Sequence, residues 1–189
     1  MSNSNISNGF ASPSEDGARA FRAIMIAMAR PGKILDLDFL VPPEPLSPAA
    51  GTVLLTLCDP DTPVKLSSTV SNKEVKDWLA FQTGAVTTEA NLASFVIGSW
   101  SEFNPINQFK KGNSKYPDRS ATLIVECDDL KDSGMALRGP GIEKVSYLSL
   151  PEIEAFQKNN AQFPLGVDFI FCAGSKIAAL PRSTKVTKD

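Results

Sequence analysis

The 189-residue sequence predicts an α/β sandwich built on a mixed sheet. Helical and strand patterns alternate along the whole chain. Several strand segments, "ATLIVEC" above all, are almost continuously apolar, as strands buried on both faces are. Two pairs of segments are joined by tight glycine turns, so part of the sheet structure is antiparallel.

The elements follow in order. "SEDGARAFRAIMIAMARPG" is a helix in which Phe21, Ile24, Met25 and Met28 recur at helical spacing, and Ser14 or Asp16 can cap its start. Pro31-Gly32 ends it, because the proline disfavours helical dihedrals at Arg30. "KILDLDF" alternates as a half-exposed strand does. After the proline-rich "VPPEPLSPAAG", Ser47 can cap and Pro48 suits the first helical position, which turns the apolar run "AAGTVLLTLC" towards helix. "DPDTP" is a turn in which aspartates bond local amides, and "VKLS" a short strand.

Ser71 and Glu74 form a capping box for a helix through "NKEVKDWLAFQT", with Val75, Trp78, Leu79 and Gln82 defining its faces and Gly84 its stop. "ASFVIG" is a strand. "SWSEFNPINQFKKGNSKYPDRS" is expected to hold a short helix and then a loop ending at Tyr116-Pro117-Asp118. "MALRGPGI" and "KVSYLSL" are strands joined by Gly-Pro-Gly. Ser149 and Glu152 repeat the capping-box spacing before "PEIEAFQKNN", and "GVDFIFCAG" and "KIAALP" close the fold through a Gly174-Ser175 hairpin turn. Residues 1–13 are expected to be a disordered lead-in, and residues 14–189 one domain.

Composition narrows the function. A net charge of −2 and a pI near 5.3 provide no basic field for nucleic acid or an anionic membrane. No apolar run approaches the roughly 18 residues of a membrane span. Cys58, Cys127 and Cys172 are far apart, without a CxxC pair or a secretory signal order, so the expected setting is cytoplasmic with reduced thiols. The chain contains no histidine, which excludes Ser-His-Asp and Cys-His machinery and every histidine-ligated metal site.

Few candidate sites remain. "LRGPGI" offers glycine amides and Arg138 to an anion, or is simply a hairpin turn. Arg182 and Thr184, in the tail "ALPRSTKV", could supply a charge and a hydroxyl to a phosphate, or the tail is a polar strand exit whose basic groups meet acidic neighbours or a partner chain. Arg19, Arg22 and Arg30 form a solvated face or a dock for an acidic partner. Asp59 and Asp61 read as turn chemistry rather than metal ligands. Trp100, Phe103 and Phe109 are either core or interface anchors.

"FRAIMIAMARPG", "TVLLTLCDPDTPV", "SATLIVE", "LRGPGI", "FPLGVDFIF" and "ALPRSTKV", in this order and spacing, resemble the PhnH family, a subunit family of carbon–phosphorus lyase. The resemblance covers Ser14 to Val186 and is weakest over Ser99 to Ser120. It implies a three-layer α/β/α sandwich, like a reduced pyridoxal-phosphate-dependent transferase fold without the cofactor. It implies cytoplasmic partners, the G, I and J subunits of a core complex, and a homodimer in isolation. It also implies an accessory, non-catalytic part in ATP-dependent formation of a ribose 1-phosphonate 5-triphosphate, with phosphonate displacing adenine. No catalytic residue, cofactor or metal comes to this chain from the resemblance. Arg138, Arg182 and Thr184 stand as anion-binding or subunit-contact candidates. The alternatives are a phosphonate- or nucleotide-binding subunit and, with Lys176 as anchor, an independent pyridoxal-phosphate enzyme.

Overall fold

The computed structural model describes residues 8–188; residues 1–7, where the expected lead-in begins, and residue 189 lie outside the described residues. Residues 8–12 are tied to the domain. Phe10 packs on the core, and the Trp78 indole donates to the Asn8 carbonyl at 2.9 Å.

Helix α1 (Pro13–Ala29) starts before both predicted caps, so Ser14 and Asp16 lie inside its first turn. Its N-cap is Ser12, whose amide is accepted by the Asp16 carboxylate at 2.8 Å. Its inward face is Ala20, Ile24 and Ala27, while Phe21 and Met25 are more than half exposed. The small alanines allow close approach to the neighbouring helix, so the larger side chains are turned outward. Strand β1 is only Leu35–Asp36, shorter than its alternating pattern implied.

Helix α2 (Pro48–Leu57) begins as the sequence indicates: the Ser47 hydroxyl accepts the Ala50 amide at 3.2 Å and Pro48 opens the first turn. Such a cap contributes about 1 kcal/mol. The "DPDTP" turn closes on Asp59, whose carboxylate accepts the Asp61 amide. Strand β2 (Val64–Leu66) leads to α3 (Lys73–Thr83), which buries Val75, Trp78 and Leu79. Its cap is Asn72 rather than Ser71: Asn72 Oδ1 accepts the Val75 amide at 2.8 Å.

Strands β3 (Phe95–Ser99), β4 (Thr122–Glu126) and β7 (Asp168–Ala173) run parallel with β2; β8 (Lys176–Leu180) returns antiparallel from β7, and β1 pairs antiparallel with β8. The mixed sheet therefore has six strands in the order β1-β8-β7-β4-β3-β2. Alternation along the strands splits the core in two. Ile97, Ile124, Ile170 and Cys172 face α1, α2 and α3, whereas Val96, Leu123, Val125, Phe169 and Phe171 face the other side.

That second side is not the helical layer an α/β/α sandwich implies. It is covered by a small three-stranded antiparallel sheet, together with α4 (Glu154–Asn160) and two short 3-10 turns, Trp100–Glu102 and Ile106–Gln108. Strands β5 (Met135–Arg138) and β6 (Ser146–Leu148) are the predicted hairpin, and β9 (Lys185–Thr187) adds along β5. Leu137, Leu148 and Val186 from this sheet meet Phe156, Phe169 and Phe171. Trp100 stacks on Phe156 with ring centres 4.8 Å apart, and Phe103 and Phe109 are buried. Phe103 and Phe109 are spent on core packing, whereas Trp100 packs on the core and stays half-buried.

The second predicted capping box does not form. The Ser149 hydroxyl accepts the Lys131 amide from the loop before β5, and Glu152 alone accepts the Ala155 amide at the start of α4.

Candidate functional site

Three of the sequence segments singled out above converge on one corner. The "RGPG" turn crosses the end of α1: a Cβ on Gly141, at φ +81°, would lie 1.9 Å from the Ala29 carbonyl oxygen. Gly139, at φ +145°, lies against Ser183 and Thr184 of the tail, where a Cβ would be 3.1 Å from the Ser183 carbonyl. Only a residue without a Cβ allows both approaches. The loop is consumed in joining backbone to backbone.

Arg182 is the centre of this corner. It follows β8 where that strand lies beside the start of β7, so its guanidinium meets Asp168. Asp168 Oδ1 accepts the Arg182 amide at 2.8 Å and Nε at 3.1 Å, and Nη2 bonds Oδ2 of the same carboxylate. Nη1 donates to the Pro117 carbonyl at 2.7 Å and Nη2 to the Ser120 hydroxyl. The Arg182 carbonyl accepts the Asn160 side-chain amide at 2.8 Å. The two charged side chains are 13% and 16% exposed. The guanidinium ties the end of β8 to β7 and to the loop before β4, and the Arg182 carbonyl adds the tie to α4.

Thr184 is 2% exposed, and its hydroxyl has no hydrogen-bond partner among the described residues. Arg138 is exposed on the outer side of the small sheet, where it donates to Thr187 Oγ1 at 3.2 Å. Among the described residues Arg138 and Arg182 share no hydrogen-bond partner. Lys176 is exposed at the β7–β8 turn, opposite Asp36. Arg19, Arg22 and Arg30 are exposed along α1.

Beside Arg182 runs an open groove of about 370 Å³, lined by Met28, Pro117, Asp118, Phe163, Pro164, Asp168, Pro181, Arg182 and Ser183. Phe163 is 60% exposed at its rim. A second, more enclosed cavity of about 340 Å³ lies between α4 and the Ile106–Gln108 turn, bordered by Asn104, Lys111, Glu152, Lys158 and Asn159. Its cations have partners: Lys158 pairs with Glu154 at 3.0 Å and Lys111 donates to Gln162 at 2.9 Å. Nothing in the sequence pattern signals this cavity, because its walls come from distant, individually ordinary residues.

Two carboxylates that sequence reasoning missed sit at the C-terminal ends of the parallel strands. Burial pushes Glu102 up, but hydrogen bonds from the Ser68 and Thr69 hydroxyls and the Ser99 and Thr69 amides outweigh it and hold the carboxyl down to about 2. Burial raises Glu126, partly offset by the Ser47 amide at 2.9 Å, so this carboxyl closes the end of β4 on the start of α2. Burial disfavours the thiolate at all three cysteines: it pushes Cys58 and Cys127 up to about 12 and Cys172 well above its ordinary value. Among the described residues no group of three or more Cys, Asp or Glu side chains converges as a metal site would.

The fold and this corner define an α/β domain whose charged and glycine motifs lock its layers together. The chain matches the model of the family described as bacterial phosphonate metabolism protein (PhnH) over residues 8–187. It is 40% identical over 195 residues, covering 97% of this chain and 96% of the relative, to the alpha-D-ribose 1-methylphosphonate 5-triphosphate synthase subunit PhnH of Rhizobium meliloti (strain 1021). It is also 28% identical over 173 residues, 88% of this chain and 84% of the relative, to HtxG of Stutzerimonas stutzeri, provisionally described as a C-P lyase subunit protein. This chain belongs to the PhnH family.

Proposed function

We propose that this chain is a subunit of a multi-chain transferase that forms α-D-ribose 1-methylphosphonate 5-triphosphate, and that it supplies architecture rather than reacting groups. The observation that carries the reading is the 40% identity, over nearly the full length of both chains, to a relative named as a subunit of that synthase. The internal use of the motif residues supports it: the Arg182 guanidinium makes four hydrogen bonds, to Asp168, Pro117 and Ser120, and the glycine turn is packed on α1. A side chain so engaged orders the fold and has little left to offer a substrate.

The partners in this reading are the G, I and J subunits of a cytoplasmic carbon–phosphorus lyase core complex, with a homodimer before assembly. No helix among the described residues is long and apolar enough to cross a membrane. The architecture is read as a reduced pyridoxal-phosphate transferase fold on sequence resemblance. Exposed Lys176 lines none of the cavities above and offers no enclosed Schiff-base site. Of the anion or subunit-contact candidates, Arg182 and Thr184 serve the interior, and Arg138 faces outward. Reconstitution of adenine release from ATP and methylphosphonate, with and without this chain, tests the proposal. Loss of turnover without the chain is expected, and undiminished turnover contradicts it.

A further inference from the structure

The outer face of the small sheet carries a charge arrangement that neither the core nor the groove uses. Arg138 ends β5 and stands directly opposite Lys185, the first residue of β9, in the antiparallel ladder. Directly paired residues project to the same face of a sheet, and both of these are exposed. The alternate residues Leu137 and Val186 take the core face. Like charges set directly opposite each other destabilise a strand pair, where an oppositely charged pair would stabilise it.

No ion pair among the described residues relieves the cost. Among the described residues neither Arg138 nor Lys185 is in an ion pair; the carboxylates that do pair hold Lys65, Lys73, Lys131, Lys158 and Arg182. The Arg138 contact to Thr187 Oγ1 orients the guanidinium along β9 and adds no charge. The pair is also a local reversal on a chain whose net charge is −2.

Shape and edge chemistry narrow what could supply the missing anion. Neither residue lines the cavities described above, whereas small-molecule sites are concave. Addition of a partner strand is opposed at β9, because α4 covers it and Gln157 Nε2 donates to the Val186 carbonyl at 2.9 Å. What remains is side-chain recognition on an open face, and a guanidinium beside an ammonium suits carboxylates.

We infer that Arg138 and Lys185 form a docking patch for an acidic segment of another subunit, Asp or Glu side chains from that segment neutralising the paired cations. This rests on the subunit reading above.

The test uses the full chain and the variants Lys185→Glu and Arg138→Glu/Lys185→Glu. Association with the co-expressed remaining subunits is measured at about 50 and about 300 mM NaCl, alongside thermal unfolding of the chain alone. Lys185→Glu is expected to raise the unfolding midpoint, since it turns a like pair into an opposite one, and yet to weaken association at least about tenfold at low salt. Association unchanged in both variants overturns the inference. If the wild-type chain fails to join its partners, the subunit reading falls, and the patch is judged on the chain alone by titration with octaglutamate. Saturable binding that the double variant loses upholds an acidic-segment patch, and absence of binding overturns it. Sodium triphosphate is titrated in parallel. Saturable triphosphate binding lost in the double variant, with assembly unaffected, overturns the docking role in favour of a small-anion site.

Discussion

Asp168 and Arg182 hold each other through backbone and side chain at once: Oδ1 accepts the Arg182 amide at 2.8 Å and its Nε at 3.1 Å. Such a tie fixes the direction in which the chain leaves β8. It thereby places Thr184 beneath Gly139 and delivers Lys185–Thr187 to β5. A residue with the chemistry of an anion receptor acts here as a strut.

Removing that strut leaves a largely buried carboxylate without its cation. Arg182→Ala is expected to cost about 3 kcal/mol of unfolding free energy, read from urea denaturation. Arg182→Lys should recover only part of it, because a lysine cannot reach Asp168, Pro117 and Ser120 together. A loss below about 0.5 kcal/mol, the scale of an exposed surface pair, would show that the tie does not hold in solution.

Thr184 provides the sharper distinction between architecture and ligand binding. Its buried hydroxyl has no partner among the described residues, so the near-isosteric Thr184→Val should be neutral or stabilising by about 1 kcal/mol. Calorimetry with ATP and methylphosphonate should show no difference between the two proteins. A ligand affinity that falls in the variant would assign the hydroxyl to an anion after all.

Gly141→Ala confronts a backbone oxygen that has no rotamer to move. With a Cβ 1.9 Å from the Ala29 carbonyl and a φ of +81°, the loop must lift from α1. The expected loss is at least about 2 kcal/mol, visible as a lower unfolding midpoint. Gly174→Ala is the control, because a Cβ there meets nothing within 4 Å, although its φ of +57° still carries strain. Equal losses at the two positions would remove close packing as the reason for the "RGPG" motif.

The two strand-end carboxylates predict pH dependences of opposite sign. Glu102, held down to about 2 from 4.5, contributes stability that is present above about 4.5 and lost as pH falls towards 2. Glu126 is raised from 4.5, so the contribution of its protonated form is complete below 4.5 and is lost as pH rises through its folded value. Glu126→Gln should therefore gain stability relative to the parent at neutral pH, and the gain should shrink at pH 4.5. Glu102→Gln should lose stability at neutral pH and approach the parent in acid. Urea unfolding across pH 3 to 8 reads both, and parallel curves for parent and variants would contradict these assignments.

Local chemistry made much of the fold legible. Ser47-Pro48 marked α2, Gly84 stopped α3, and Gly174-Ser175 turned β7 into β8. Errors arose where a distant partner outbid a local signal. Ser149 serves Lys131 instead of capping α4, and Phe21 and Met25 yield the inward face of α1 to alanines that fit against α2. Strand β9 was invisible because three residues, Lys-Val-Thr, carry no period until β5 lies beside them. The same limit hid the site: the sequence shows Arg182, but the Asp168 and Ser120 that engage it lie 14 and 62 positions away.

In the proposed role the chain is an indispensable scaffold within the transferase rather than a carrier of its chemistry. The most direct measurement is adenine release from ATP and methylphosphonate by the reconstituted assembly, made with the parent chain, without it, and with Thr184→Val. The proposed role predicts loss of turnover without the chain and full turnover with the variant. Full turnover without the chain, or a folded and assembled Thr184→Val chain that is inactive, would contradict it.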